Sequence, residues 1–429
     1  MLPFKNETLS LSNLMNPEIR ANPYPFYAQL RVEDPVHWDE EMGFWVLTRY
    51  ADIASVYTDD RFSRAQGLMS NFQRLSEDEQ SIAEPVYRSF SKTMFYADPP
   101  YHTHLRGLMN NAFTPRRVER MRPNIQRIVD ELLDHVEDTG NMDVIHDLAY
   151  PLPVLVIAEL LGLPTNDRAR FKGWSDDLFA ILGTVRRSPE LIERAAQSLA
   201  ELTEYVTALS RKRREQPRDD LLSVLLRVVH EEMECPHPHH AQGQLPRDHR
   251  PTAQLTHDEL VANINILLST GHETTTHLIG NGLLALLKHS DQMQKLRTQP
   301  SLIYSAIEEM MRYENPVQIT YRSAIQDAEI SGKQIHKGDL INSILGSANR
   351  DLERYTDPDR FDITRNEGRH LNFGLGIHFC IGASLVRLEA EIAFNTVLRR
   401  FPSLQLATDH FEWQEHPVFR GLKSLPVSF

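Results

Sequence analysis

Apolar positions recur at three- and four-residue spacing through most of this chain, which predicts helices rather than strands. The pattern runs from Arg117 to about Gly140, from Leu152 to Leu161, from Asp167 to Leu182 and from Pro189 to Arg214. Its longest stretch runs from about Asp258 to Lys288 and is apolar on several faces. Leu260, Val261, Ile264, Leu267 and Leu268 precede its centre, and Leu278, Ile279, Leu283 and Leu286 follow it. Thr256 and Glu259 stand at its start with the spacing of a capping box. Strand-like runs are few and short. Within residues 44–57, Phe44-Trp45-Val46-Leu47 reads as an early strand followed by a short helix. After Pro316, β-like pieces are punctuated by Gly332, Gly338 and Pro358. Residues 64–97, broken by Gly67, Ser76 and Pro85, read as a loop, and the His-, Pro- and Arg-rich stretch 233–254 as an exposed one. The fold class is mainly α with small segregated β-sheets. With no glycine- or serine-rich linker, residues 1–429 are expected to form one domain.

Composition narrows the class. The chain has 429 residues, 41% of them hydrophobic, enough for a large core. A net charge of −13 argues against nonspecific nucleic-acid binding. The N-terminus lacks the charged start and apolar core of a leader, and no run of about eighteen apolar residues suggests a membrane span, so a cytoplasmic protein is expected. With only two cysteines, Cys235 and Cys380, a disulfide framework is unexpected. Cys235 lies near His237, His239 and His240, which are metal-ligand types. Their polar, proline-bearing surroundings favour a solvated loop.

Two segments carry chemistry. The first is Phe373-Gly374-Leu375-Gly376-Ile377-His378-Phe379-Cys380-Ile381-Gly382, which sets a cysteine ahead of a helical pattern from Ala383 to Phe401. A thiolate there faces the positive end of a helix. Gly374, Gly376 and Gly382 permit positive φ and remove side-chain bulk, so a flat ligand can lie on the backbone. The second segment is Ser269-Thr270-Gly271-His272-Glu273-Thr274-Thr275-Thr276-His277, a polar centre in an otherwise apolar helix. Hydroxyls bonded back to carbonyls of the preceding turn account for the threonines but not for the carboxylate beside them. A buried Glu with a Thr neighbour can relay protons and hold water.

The cysteine loop resembles the haem-binding signature of the cytochrome P-450 superfamily, whose fixed places are filled by Phe373, Gly376, His378, Cys380 and Gly382. The polar centre resembles that family's oxygen-activating helix through Gly271, Glu273, Thr274 and Thr275, with Thr270 where Ala or Gly is usual. Glu309 and Arg312 match its Glu-x-x-Arg pair, and Ala348 to Asp351 with Pro358 to Asp362 match the segment that the pair locks. Asp98-Pro99-Pro100-Tyr101-His102-Thr103-His104-Leu105-Arg106 matches a further segment. The resemblance runs from about residue 20 to the C-terminus and is to the soluble bacterial type.

It implies a cytochrome P-450 fold and a haem-thiolate monooxygenase. Cys380 is the implied iron ligand, and Glu273 and Thr274 are the implied proton-delivering pair. His102, Arg106, Arg322 and His370 are the implied propionate partners of haem b, with Phe373, His378 and Gly382 in its binding loop. The Glu309–Arg312 pair is implied to be structural. Electrons are expected from NAD(P)H through a ferredoxin reductase and a ferredoxin, with Arg116, Arg117, Arg120 and Arg387 as candidate contacts for the acidic carrier. Residues 64–97, the turn near Phe179 to Val185, Ile266 to Thr270, Val317 to Thr320 and Val418-Phe419 are expected to enclose a lipophilic substrate, such as a polyketide, macrolide or terpenoid. The rival readings are a peroxide-driven peroxygenase, a haem sensor or carrier without turnover, and a helical scaffold with no cofactor. An intact Glu273-Thr274 pair argues against the first two, and the cysteine loop against the last.

Overall fold

The structure is a computed structural model and describes residues 9–164, 167–181, 188–229 and 254–429. Helices dominate, and the described strands fall into three separate sheets. The largest sheet orders Val36–Asp39, Phe44–Leu47, Leu340–Ile344, Ile319–Ala324 and Phe62–Ser63 side by side. Trp45 pairs in parallel with Ile341, and Tyr321 lies antiparallel to Asn342, so the two ends of the chain share one sheet. The predicted strand at Phe44 and the helix after it are observed as Phe44–Leu47 and Tyr50–Thr58.

Helices stand at Arg122–Glu137, Pro151–Leu161, Arg168–Ala180 and Pro189–Glu215, close to their predicted bounds. The first of the predicted helices is split, because Pro115–Arg120 forms a short helix of its own and Pro123 starts the next within its first turn. Val144–Leu161 is long and apolar enough by composition to cross a membrane, which the reading of the sequence did not anticipate. Its window is 67% buried inside the protein, and it packs as core.

Residues 64–97 are a correction. They form helices Arg64–Gln73 and Glu77–Ser91 rather than a loop. The residues that read as loop punctuation are caps and packing points. Ser63 Oγ accepts from the Gln66 amide at 2.7 Å, and Ser76 and Glu79 close a capping box. At Gly67 a Cβ would stand 3.1 Å from the Tyr321 ring, so the residue serves close packing against the sheet. Pro85 sits inside its helix, whose Ala83, Val86, Tyr87 and Phe90 are buried on one face.

The long helix is a second correction. It is two helices, His257–Thr270 and Glu273–Lys288, broken at Gly271-His272. The Thr256–Glu259 capping box forms as expected. At the break, side chains take over the carbonyls of the last turn. Ser269 Oγ donates to Asn265 O at 2.9 Å, Thr270 Oγ1 to Ile266 O at 2.7 Å, and His272 Nδ1 to Leu268 O at 3.0 Å. The backbone is thereby freed to turn where the polar centre begins. The expected loop 233–254, Cys235 with its histidines, and most of the Phe179–Val185 turn lie outside the described residues.

Candidate functional site

The loop before the Ala383–Arg400 helix closes on itself. The Gly374 amide donates to Leu371 O at 2.8 Å and the Cys380 amide to Phe373 O at 2.9 Å. Gly374 and Gly376 take φ of +70° and +66°, as expected. At Gly376 a Cβ would also lie 2.8 Å from the Tyr57 carbonyl oxygen, so only glycine lets this loop rest on the Tyr50–Thr58 helix. Gly382 differs from expectation, because its φ is −81° and it stands as N-cap of the Ala383–Arg400 helix. A Cβ there would meet only Cys380 Sγ, at 3.9 Å.

Cys380 borders a cavity with about 1580 Å³ of empty space, solvent mouth included. Burial pushes its thiol up, and this outweighs the Gly382 and Ala383 amides and the charges of Arg106 and Arg387. The helix end therefore does not suffice to ionise the cysteine, and a bound metal ion is what deprotonates such a thiol.

Positive groups crowd the same cavity. Arg64, Arg106, Arg322 and His378 line it, and the His102 ring lies 4.3 Å from that of His378. Among the described residues neither ring nitrogen of His102 has a hydrogen-bond partner, although the residue is buried. Burial and Arg106 push its pKa down to about 4, against a smaller opposing pull from Asp98. Burial and the neighbouring Arg64 hold Arg322 down at about 9. His378 is pushed far below its usual value, by burial first and then by Arg64, Arg322, His102 and Arg106. Among the described residues Arg106 bonds Asn110 Oδ1 alone, at 3.0 Å, while Arg64 bonds Phe95 O at 3.2 Å and stacks 4.1 Å from the Phe95 ring. Asp98, the nearby carboxylate, is engaged by Ser63 and by the Arg64 amide. Unpaired buried cations and an orphaned histidine call for anions. With the thiol beside them, this donor set fits a flat, metal-bearing macrocycle that carries carboxylates.

Neither His102 nor His370 itself lines the cavity, and His370 is engaged elsewhere. Its Nδ1 accepts from the Asn372 amide at 3.1 Å and its Nε2 lies 3.2 Å from Glu308 Oε2. Glu308 also binds Arg387, and although burial pushes that carboxyl up, His370 and Arg387 hold it down at about 2. Arg387 and Arg117 are thus both paired, the latter to Asp219 at 3.0 Å, whereas Arg116 and Arg120 are exposed. Sequence reasoning missed Arg64, whose only signal is its place just after the short strand Phe62–Ser63.

Thr270 and Thr274 line the same cavity and Glu273 does not. Glu273 is buried, with Oε1 3.5 Å from His272 Nε2 and Oε2 3.5 Å from His277 Nε2. Burial raises its carboxyl, but His272, His277 and Lys172 outweigh this and keep it below the ordinary carboxylate range. The two members of the expected pair therefore point to different surroundings. Met94, Phe95, Ile266, Leu267, Val317 and Phe419 give the cavity an apolar wall. Of the segments expected to enclose a substrate, residues 64–97, Ile266 to Thr270, Val317 to Thr320 and Val418-Phe419 contribute to it, whereas Ile181, in the described part of the Phe179–Val185 turn, does not.

The sequence matches the family Cytochrome P450 over residues 68–417. It is 40% identical over 418 residues to the cytochrome P450 monooxygenase PikC of Streptomyces venezuelae, which covers 96% of this chain and 92% of that one. It is 37% identical over 425 residues to the polyketide biosynthesis cytochrome P450 PksS of Bacillus subtilis, at 96% of each chain. Among solved structures, P450BioI in complex with a hexadec-9Z-enoic acid-ligated acyl carrier protein superposes with a TM-score of 0.86 at 36% identity. That match covers 96% of this chain and all of the other, 100%.

Proposed function

The chain belongs to the cytochrome P450 family of monooxygenases, and from that premise we propose that Cys380 ligates a haem b iron and that the enzyme inserts one atom of O2 into a lipophilic small molecule. The observation that carries this reading is that Cys380 and Thr274, far apart in sequence, border one largely apolar cavity. Haem bound there supplies the reductive activation of dioxygen and the oxygen transfer, by hydroxylation or epoxidation.

The chain's own residues do the rest. Cys380 holds the metal as a thiolate and donates electron density to it. Arg64, Arg106 and Arg322 would neutralise the two propionates, with His102 and His378 as hydrogen-bond partners to them. His370 supports the loop from behind, through Glu308 and the Asn372 amide. Thr274 holds water and a proton at its Oγ1 on the oxygen side, and Glu273 resupplies that proton from the buried histidines. The apolar wall orients the substrate and excludes bulk water.

A secondary metabolite is the proposed substrate class, since PikC is named a monooxygenase and PksS a polyketide-biosynthesis enzyme. Electrons come from NAD(P)H by way of a ferredoxin and its reductase. Arg116 and Arg120, exposed on the Pro115–Arg120 helix that packs against the Ala383–Arg400 helix, are the contacts offered to the acidic carrier.

The reduced, CO-bound protein tests the reading. A strongly red-shifted Soret band, absent from Cys380→Ser, is expected. No bound haem, or the same band in the serine variant, overturns it.

A further inference from the structure

We propose that Asp176, His272 and Glu273, backed by His277, form a second metal site, one suited to Zn²⁺ or a similar divalent transition metal. One ligand atom from each of the first three lies within 4.8 Å of the others. The choice of ligands, imidazole with carboxylates, is that of zinc and its neighbours rather than of calcium or magnesium.

The protonation pattern points to a cation. His272 Nδ1 lies 3.0 Å from Leu268 O, and a carbonyl only accepts, so Nδ1 carries the proton. In a neutral ring so anchored, Nε2 is a bare lone pair. Nε2 lies 3.5 Å from Glu273 Oε1 and, among the described residues, has no hydrogen-bond partner at bonding distance. His277 brings a second imidazole to the same carboxylate. Its Nε2 is 3.5 Å from Glu273 Oε2, neither of its ring nitrogens is hydrogen-bonded among the described residues, and its side chain is 1% exposed. An acceptor that faces an acceptor in a buried pocket needs positive charge between them.

The spacing favours a metal over shared protons. Bonds of about 2.0–2.1 Å in a tetrahedral zinc site set ligand atoms roughly 3.3 Å apart, whereas an N–H···O bond settles near about 2.9 Å. A backbone carbonyl on the far nitrogen of a ligating histidine fixes its tautomer and aim, and Leu268 O does this for His272. Asp176 is 41% exposed at its side chain and opens a route from solvent. Lys172 Nζ, 2.9 Å from Asp176 Oδ2 and 4.3 Å from the Tyr150 ring centre, is the charge that an arriving metal must displace.

The same helix break serves both sites. It turns Thr274 to the large cavity and Glu273 to this cluster. A metal bound here withholds Glu273 from proton supply. That consequence rests on the function proposed above, and the binding itself does not.

The test uses the haem-loaded protein dialysed against Zn²⁺, with bound zinc counted per iron by elemental analysis. His237, His239 and His240 are replaced by Ala throughout, because they offer a competing set. One zinc per iron is expected. His272→Ala and, as a variant on a half-exposed side chain, Asp176→Asn should each weaken it by at least the roughly 10–100-fold that loss of a supporting partner costs. Their CO-bound spectra should not change. No retained zinc at micromolar metal, or zinc held equally by both variants, overturns the site. Zinc that binds as expected but leaves turnover unslowed supports the site and removes Glu273 from proton delivery.

Discussion

Arg312 grips Glu309 one turn away on the Ile303–Tyr313 helix, Nε to Oε2 at 2.7 Å and a terminal nitrogen to Oε1 at 2.9 Å, with both side chains buried. The pair also reaches outward. Arg312 donates to the carbonyls of Asn349 and Pro358 at 2.9 and 2.8 Å, and Glu309 accepts from the Asp362 amide at 2.9 Å. Asn349 Oδ1 in turn accepts from the Leu371 amide at 2.8 Å, at the mouth of the cysteine loop. Removing Glu309 strands the buried Arg312 charge, at a cost of roughly 3–5 kcal/mol. Removing Arg312 leaves Glu309 paired with Arg365, whose Nε lies at 3.2 Å, and should cost somewhat less. Glu309→Ala and Arg312→Ala should both unfold at much lower urea and purify with little haem. Arg312→Lys should not rescue, because a point charge cannot reproduce the fork. A wild-type urea midpoint in Arg312→Ala would contradict the role.

Gly376 makes a sharper case for backbone control of the cofactor loop. An alanine there must take a left-handed φ, which costs about 1–2 kcal/mol, and must also push its Cβ against the Tyr57 carbonyl. Gly376→Ala should lower both the urea midpoint and the Soret-to-protein absorbance ratio. Gly382→Ala, at φ −81° with open space around it, should lose less stability. Equal losses in the two variants would remove the argument from φ.

Much of the fold was legible because amphipathic helices announce themselves by period. The helices ending at Leu161 and near Arg214 fall where the apolar spacing places them. The misreadings share a cause, in that one residue type serves two jobs. Ser76 and Gly67 read as loop, yet one caps a helix and the other lets a helix lie on Tyr321. Ser269, Thr270 and His272 read as helix interior, yet their side chains take the carbonyls and break it. At the site, Cys380 was legible from its glycines, because a loop that lies under a flat ligand needs them. Arg64 was not, since a lone arginine after a short strand carries no local mark. Nor was the split between Thr274 and Glu273, which depends on the break and on His277 a turn further on.

His102 gives the haem-free protein a signature against pH. Burial and Arg106 take its pKa from an ordinary 6.5 to about 4, so the folded chain refuses a proton that the unfolded chain binds. Stability therefore rises with pH across that window and is lost as pH falls from 6.5 toward 4. The loss reaches about 3 kcal/mol at 1.36 kcal/mol per unit. Urea titrations of haem-free protein should show this acid limb, flattened in His102→Gln. Haem carboxylates beside the ring favour its charged form and raise its folded-state pKa back toward 6.5, so loading should flatten the limb. Parallel limbs in wild type and His102→Gln would assign the loss elsewhere.

Thr274 separates proton delivery from haem binding. Its neighbour on the wall, Thr270, commits its hydroxyl to Ile266 O, whereas among the described residues Thr274 makes no such bond and its hydroxyl is available to water in the cavity. Thr274→Ala should thus keep haem, the CO-bound spectrum and the rate of NAD(P)H consumption. Product formed per NAD(P)H should fall and peroxide should rise to match, with coupled turnover down by up to about 10²-fold, the lower range for a lost proton-transfer group. Thr274→Ser, which keeps the oxygen, should recover most of the coupling. Thr270→Ala should change it little, since that hydroxyl is already spent on the backbone. Because the alanine variant binds haem as before, a fall in product without a rise in peroxide would point to lost substrate binding. Full coupling in Thr274→Ala would show that water alone carries the proton and that the polar centre serves the helix break.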